Sequence, residues 1–258
     1  MKLTADFHTH TIFSHGKGTI LDNALSAKER GISQIAITDH GFSHPAFRIS
    51  KSKLPLMRKL CEEAESQTGV KVLLGIESNI LGISGKTDLK KEDYLKFDVF
   101  LAGIHKFIFY DGIKEWFKLY GANLIARTLK DKPSKELIDR NTKIYINTIK
   151  NNPLDILAHP NYCFFADAVE VAKCCRDYGT YFEIDARKTH LTDEDWAKVA
   201  DTGVKFFINS DAHHPKNIGV IDNAEKMIER VGINKDQIVN IDGKFPEYFR
   251  FNEFKKKI

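Results

Sequence analysis

Seven histidines and two acids occupy positions from which chemistry could be done. His8 and His10 stand in Asp6-Phe7-His8-Thr9-His10, with His15 shortly after. His40 closes Thr38-Asp39-His40, and Glu77 closes Gly75-Ile76-Glu77. His105 follows Ala102-Gly103-Ile104, His159 lies in Ala158-His159-Pro160, and Asp211 and His213 lie in Asn209-Ser210-Asp211-Ala212-His213. Neutral imidazole and carboxylate are good ligands for zinc, manganese or iron. The four cysteines, Cys61, Cys163, Cys174 and Cys175, form no CxxC pair, so the set leans toward catalysis over a structural thiolate site. Residues i and i+2 of a strand point to the same side, so His8 and His10 can face one ion together, as can Asp211 and His213. A catalytic zinc takes about three protein ligands and keeps an open position. Nine candidates therefore call for two or three ions. Clustered cations lower the pKa of a bridging water and neutralise charge on a phosphoryl group.

A lone histidine is more often a satisfied core or surface residue, and a single HxH carries little weight. The weight here comes from agreement between six segment ends. His44, His190 and His214 read as loop or surface residues. Asp6 shares strand parity with His8 and is placed to hold its imidazole; Asp39 is placed to do the same near His40. Each is otherwise a plain polar end.

The elements that must position these residues are short apolar runs alternating with helix-like stretches. Strands are expected over 3–8, 34–38, 71–76, 97–103, 154–158, 180–185 and 204–209. Helices are expected over 21–31, 51–68, 134–150, 164–177, 192–202 and 222–231. This alternation implies a parallel sheet, open or closed. Near-continuous apolar strands, buried on both faces, favour a barrel. Each of the six segments then ends in an imidazole or carboxylate at the C-terminal side, where parallel α/β folds build their sites. The interval 106–153 breaks the rhythm. Within it, 113–130 reads as an extra amphipathic segment carrying Trp116, Phe117 and Tyr120, either an addition to a barrel helix or a cap over the site.

At 258 residues the chain is read as one domain spanning 1–258, since α/β barrels of roughly 200–250 residues are routine. A hydrophobic share of 42% supports a substantial core, and no run reaches the ~18 apolar residues of a membrane span. The N-terminus lacks the apolar stretch of a secretory signal, so a soluble cytoplasmic protein without membrane association is expected. A net charge of +4 mildly favours anionic ligands and is too small to argue for nucleic acid. Lys255, Lys256 and Lys257 read as a solvated terminus. The sequence sets no oligomeric state.

The segments DFHTHTIFSHG, AITDHG, GIES, AGIH, AHPN and SDAHH, in that order from residue 6 to residue 214, resemble the successive motifs of the PHP (polymerase and histidinol phosphatase) family. The chain is most similar to its small stand-alone bacterial phosphatases. The resemblance implies a distorted seven-stranded (β/α)7 barrel with a trinuclear metal site at the C-terminal ends of the strands. By similarity, one ion would take His8, His10, Glu77 and Asp211. A second would take His15, His40 and His213. A third would share Glu77 and take His105 and His159. His8, His10, Glu77, Asp211 and His213 are the ligands expected to bear most directly on catalysis. The interval 106–153 departs from the family pattern.

Strand six ends Phe182-Glu183-Ile184-Asp185-Ala186-Arg187, without a ligand of that pattern. A barrel still directs this end to the same mouth. Arg187 is thereby placed to fork onto a phosphate, unless it is a surface charge or a partner of Asp185. Lys17 and Lys106 could add point charges. The expectation is a metal-dependent phosphoesterase acting on a small phosphorylated substrate. The first reading is a phosphomonoesterase using a metal-bound hydroxide with up to three zinc, manganese or iron ions, and histidinol phosphate is one candidate substrate. The nearest alternative is a nucleotide or oligonucleotide phosphodiesterase, with long nucleic acid disfavoured by the modest charge. From another class, the alternative is a non-catalytic metal-binding accessory module.

Overall fold

The computed structural model of the protein describes residues 1–128, 133–162, 164–246 and 248–257. Its seven strands are β1 (Ala5–Thr9), β2 (Gln34–Ile37), β3 (Lys71–Asn79), β4 (Val99–Gly103), β5 (Ile156–Leu157), β6 (Tyr181–Asp185) and β7 (Phe206–Asn209). They lie in one sheet in chain order, and every neighbouring pair is parallel. The strands match the expected runs, with β3 longer and β5 reduced to two residues. The helices are α1 (Ile20–Glu29), α2 (Leu54–Thr68), α3 (Ile113–Trp116), α4 (Ala122–Thr128), α5 (Lys135–Asn151), α6 (Ala168–Tyr178), α7 (Asp193–Asp201), α8 (Asp222–Val231) and α9 (Arg250–Lys255). A π-helical turn, Phe117–Gly121, joins α3 to α4, so the extra segment expected at 113–130 is helical through Thr128. Residues 129 and 130, like Cys163, lie outside the described residues. Helix α9 had no counterpart among the expected helices.

The sheet closes on itself between β7 and β1, and the seam is only partly made of backbone. At its upper end Thr9 and Ala212 form a parallel bridge, and the His10 N–H donates to the Ala212 carbonyl at 2.9 Å. Lower down, side chains stand in for the missing ladder. The Phe7 N–H donates to Asn209 Oδ1 at 2.7 Å. Asn240 accepts from the Ile208 N–H at 3.0 Å and donates to the carbonyls of Ala5 at 2.8 Å and Ile208 at 2.7 Å. Buried backbone groups must be paired, and four of them are paired here by two asparagines. This is the distortion of the barrel.

The barrel lumen is stratified. Its lower layer is apolar, with Ala5, Phe7, Val99, Leu101, Ile156 and Phe207 in a cluster of their own. Phe7 stacks on Phe207 with ring centroids 5.0 Å apart. A second, larger apolar cluster lies between the outer face of the strands and the helices, holding Leu74, Ile76, Phe182, Ile184 and Ile208 from alternate strand positions. The period-2 alternation of β-strands thus feeds both clusters from the same strands. Above the apolar plug, the inward positions become polar.

Asp155, immediately before β5, ties the closing helix to the barrel floor. It is buried and accepts the N–H of Phe100 at 3.0 Å and of Phe251, in α9, at 2.8 Å. Burial raises its carboxyl to about 7, offset only in part by those two bonds and by Lys255 and Arg250. A carboxyl whose folded pKa lies above its unfolded value binds its proton more tightly in the native state. Its stabilising contribution is therefore fully present below about pH 4 and is lost as pH rises through about 7. Chemical denaturation between pH 4.5 and 7.5, window limits chosen at about these unfolded and folded values, should show Asp155→Asn with a flatter pH dependence than wild type. The wild-type slope attributable to this group is at most about 1.4 kcal/mol per pH unit. Parallel profiles in the two proteins would contradict this assignment.

Candidate metal centre

The polar layer is built around one carboxylate. Glu77, on β3 and fully buried, faces five imidazoles. His159 Nε2 and His105 Nε2 lie 2.7 and 2.9 Å from its Oε1, with His8 Nε2 at 3.4 Å. On the other oxygen, His40 Nδ1 lies at 2.7 Å and His10 Nε2 at 3.7 Å. Asp211 closes the far side, its Oδ1 3.2 Å from His10 Nε2 and 3.6 Å from His8 Nε2. His213 packs its ring 4.3 Å from His10, and His15 packs 4.1 Å from His213 and 4.8 Å from His40. All nine residues expected from the sequence therefore meet in one place.

Local structure explains how they get there. The register of β1 against β2 shifts between Asp6 and Thr9. A bulge of this kind re-aims the following side chain, and His8 joins the lumen directly after Phe7. His159 and Asp211 have φ of 28° and 44°, in the left-handed region that residues with a side chain seldom adopt. Gly103 lets His159 lie against β4, since a Cβ there would stand 2.5 Å from His159 Cε1.

The donor set fits divalent cations. His8 Nε2, His10 Nδ1, His15 Nδ1, His40 Nδ1, His159 Nδ1 and Glu77 Oε2 are buried without a hydrogen-bond partner among the described residues. His40 Nδ1 and Glu77 Oε2 are close but not aligned for a hydrogen bond. Buried polar atoms are ordinarily satisfied, so this many together points to a ligand. Four sets of three ligand atoms lie within 4.8 Å of one another: His8-Glu77-His159, His40-Glu77-His105, His8-His10-Asp211 and His10-His40-His213. Glu77 enters two of them, as a bridging carboxylate would. Protonation agrees with this at three imidazoles, whereas His8 is raised well above its ordinary value, against the effect of burial, by Glu183, Glu77 and Asp211. Burial holds His10 well below its ordinary value, His15 at about 3 and His40 at about 4, leaving imidazoles free to ligate. Burial would raise Glu77, but His105, His8 and His40 hold it well below the usual carboxylate range. His159 is lifted to about 9 against the effect of burial, by its hydrogen bond to Glu77 and the charge of that carboxylate.

Outer partners fix several of the rings. His105 Nδ1 pairs with Asn79 Oδ1 at 2.7 Å, and Asn79 Nδ2 donates to Asp88 Oδ2 at 2.6 Å. His213 Nδ1 pairs with the Asp211 carbonyl at 2.9 Å. His8 Nδ1 pairs with Glu183 Oε1 at 2.8 Å. Glu183 is fully buried, takes the Asn209 amide at 2.8 Å on the same oxygen and accepts the His159 N–H at 2.5 Å on the other. One carboxylate on β6 thus positions two candidate ligands. Sequence reasoning assigned that support to Asp6, and this is corrected. Asp6 instead accepts from Ser210 N–H, Ser210 Oγ and Gly219 N–H at 3.1, 2.6 and 2.9 Å, because the β1 bulge breaks the parity it was to share with His8. Asp39 likewise serves Thr11 and Ser14 rather than His40. The available signal for Glu183 was a charge flanked by Phe182 and Ile184 inside a buried strand.

A cavity of about 410 Å³ opens over the centre. Arg187 lines it, its Nη1 2.9 Å from Asp211 Oδ2 and 3.2 Å from His213 Nδ1. The expected alternative partner, Asp185, receives the Arg187 backbone N–H instead. Lys106 also lines the cavity, whereas Lys17 is exposed, does not, and meets the site only through its N–H bond to the His213 carbonyl at 2.9 Å. Arg127, Tyr162 and Lys188 line the cavity and were not singled out, and His190, expected as a loop or surface residue, lines it from a loop. From the long interval, the described lining residues are Lys106 and Arg127; Trp116, Phe117 and Tyr120 are not among them. His44 accepts two backbone N–H groups beside His40, and His214 caps a short turn.

Comparison with known proteins gives a consistent picture. The PHP domain family model matches residues 6–188. The chain is 34% identical over 271 aligned positions to a probable phosphatase of Thermoanaerobacter sp. (strain X514), covering 100% of this chain and 98% of that one. It is 30% identical to a probable phosphatase of Caldanaerobacter subterraneus subsp. tengcongensis, covering 93% and 88%. Its fold is similar to that of the histidinol phosphate phosphatase of Lactococcus lactis, solved with zinc, L-histidinol and phosphate (TM-score 0.59, 17% identity, 90% of this chain and 95% of that one).

Because Glu183 holds the His8 ring and the His159 backbone, Glu183→Ala should weaken zinc retention by roughly 10–100-fold. Metal per chain after dialysis against graded chelator measures this, with circular dichroism confirming the fold. Wild-type retention in a folded variant would show that the bond to His8 does not support metal binding.

Proposed function

The chain belongs to the PHP domain family, and we propose that it is a metal-dependent phosphomonoesterase with a site for up to three divalent cations. The observation that carries this is Glu77 with five imidazoles around it in a layer of unsatisfied ligand atoms. Such a layer is unstable as neutral protein and is completed by cations. Names borne by similar proteins, probable phosphatases among them, support the same reading.

The assignment of ligands follows the sequence. His8, His10, Glu77 and Asp211 would hold one ion, His15, His40 and His213 a second, and Glu77, His105 and His159 a third. Zinc, manganese or iron suits this nitrogen and oxygen set. Bound cations would supply Lewis acidity, making a water nucleophilic near neutral pH and neutralising charge on the phosphoryl group.

The chain's own residues do the rest. Glu183 and Asn79 hold the His8 and His105 rings with Nε2 turned to Glu77. Arg187 is a planar donor fork at the cavity wall, next to Asp211, suited to two phosphoryl oxygens at once. Lys106 adds a positive charge to the same cavity. A small phosphorylated molecule is the substrate class in keeping with a cavity of about 410 Å³.

Purified protein assayed on a panel of phosphate esters should lose activity to a chelator and regain it with zinc, manganese or iron. Gently purified protein should hold more than one metal equivalent, and Glu77→Gln should lower activity at least as severely as His159→Ala. Inactivity of metal-loaded protein on every ester would refute the proposal, and saturation at one equivalent would refute the multinuclear site. Arg187→Ala should keep its metal while kcat/KM on phosphomonoesters falls roughly 10–100-fold, with Arg187→Lys recovering part of the loss. Unchanged kinetics would remove Arg187 from phosphate binding.

A further inference from the structure

Beyond the metal ligands, the cavity is lined by side chains that a phosphoryl group alone does not explain. Four cations face it from different segments: Lys106 after β4, Arg127 in α4, and Arg187 and Lys188 after β6. Arg187 is engaged with Asp211. The other three have no carboxylate partner among the described residues. Elsewhere on the surface, some cations find one. Arg58 pairs with Asp98, Arg230 with Asp193, Lys173 with Glu170 and Lys198 with Glu194.

Two of the three are placed by groups that, among the described residues, leave their charge uncompensated. Arg127 donates to the Tyr162 carbonyl at 2.9 Å, and its guanidinium lies 5.5 Å from the centroid of the Phe165 ring. Lys106 Nζ sits 5.4 Å from the centroid of the Tyr162 ring. Aromatic faces and a carbonyl orient a cation without cancelling it. Among the described residues, the cavity's one carboxylate outside the proposed ligand set is Asp185. Its Oδ1 is taken by the backbone N–H groups of Arg187 at 2.8 Å and Lys188 at 3.4 Å, and its Oδ2 lies 3.6 Å from His190 Nε2. Asp185 therefore shapes the turn that carries two of the cations and is not free to receive a ligand's positive charge.

Resting on the phosphomonoesterase reading above, we infer that the substrate carries a second anionic group, a carboxylate or another phosphate, which Lys106, Arg127 and Lys188 bind while its ester phosphate lies at the metal centre. The same charge distribution works against a substrate whose far end is an ammonium group, as in 2-aminoethyl phosphate. Like charges brought together in a partly enclosed cavity repel more strongly than in open water. The long interval 106–153 acquires a purpose here, since it contributes both Lys106 and Arg127 to the cavity.

The test is binding of non-hydrolysable probes to the zinc-loaded protein by calorimetry. The probes are 3-phosphonopropionate, propane-1,3-bisphosphonate, propylphosphonate and 2-aminoethylphosphonate. At least one of the two doubly anionic probes should bind ten-fold or more tightly than propylphosphonate, about the worth of one charged hydrogen bond. Which of the two does so distinguishes carboxylate from phosphate, and 2-aminoethylphosphonate should bind most weakly. In Arg127→Gln and in Lys188→Gln the ratio of doubly anionic to propylphosphonate affinity should fall several-fold. Equal affinity for all four probes, preference for the amine, or substitutions that weaken every probe by one factor would overturn the inference. A preference for the doubly anionic probe in a protein that hydrolyses no phosphate ester would sink the phosphatase reading and with it the ester substrate, leaving only the second anion-binding subsite.

Discussion

A carboxylate buried among imidazoles is the constraint on which the rest of the structure turns. Glu77 has no exposure to solvent and no hydrogen-bonded backbone donor on the oxygen that His40 faces. An isolated buried charge is costly, and a buried pair is worthwhile only if the remaining lone pairs are satisfied. The surrounding nitrogens cannot all be protonated, because burial and mutual repulsion hold several of them neutral. Cations shared among these residues, as proposed, would resolve both difficulties at once. They would balance the carboxylates and fill the empty lone pairs.

The barrel is organised to keep this layer in place. An apolar plug of phenylalanine and aliphatic side chains supports it from below, excluding water from the floor. Where β7 meets β1 the ladder is incomplete, and Asn209 and Asn240 supply its hydrogen bonds. Asn209 also donates to Glu183, so the residue that seals the barrel helps hold the carboxylate that orients His8. Closure of the fold and geometry of the site are thus coupled through one side chain. The left-handed backbone at His159 and Asp211 belongs to the same design, being held by tertiary contacts at points where ligands must turn inward.

Above the metal layer the chemistry changes character. The proposed ligands lie at strand ends or just past them, while Lys106, Arg127, Arg187 and Lys188 come from the segments that follow the strands. Such segments vary without disturbing the barrel, which is how one scaffold serves many substrates. On the proposed function, this division would place catalysis in the lumen and selectivity at the mouth.

Much of this was legible in the sequence. Apolar runs alternating with amphipathic stretches specified a parallel α/β barrel, and HTH, TDH, GIE, GIH, AHP and SDAHH marked its strand ends, because strand parity and chain order are local properties. The eight candidate ligands in these motifs, with His15 in the loop after the first, converge in the structure. What the sequence could not carry were pairings across the barrel. Glu183 reads as a charge in a buried strand until β6 is brought opposite β1, where it meets His8. Asp6 reads as the partner of His8 until a bulge separates them. Arg187 reads as a phosphate-binding fork, a surface charge or a partner of Asp185 until its side chain is seen to reach Asp211, and Arg127 draws no reading until α4 is placed at the cavity. Each of these depends on register, closure and the path of a long connection, which are set by contacts between residues far apart in the chain and leave no periodic trace within any one segment.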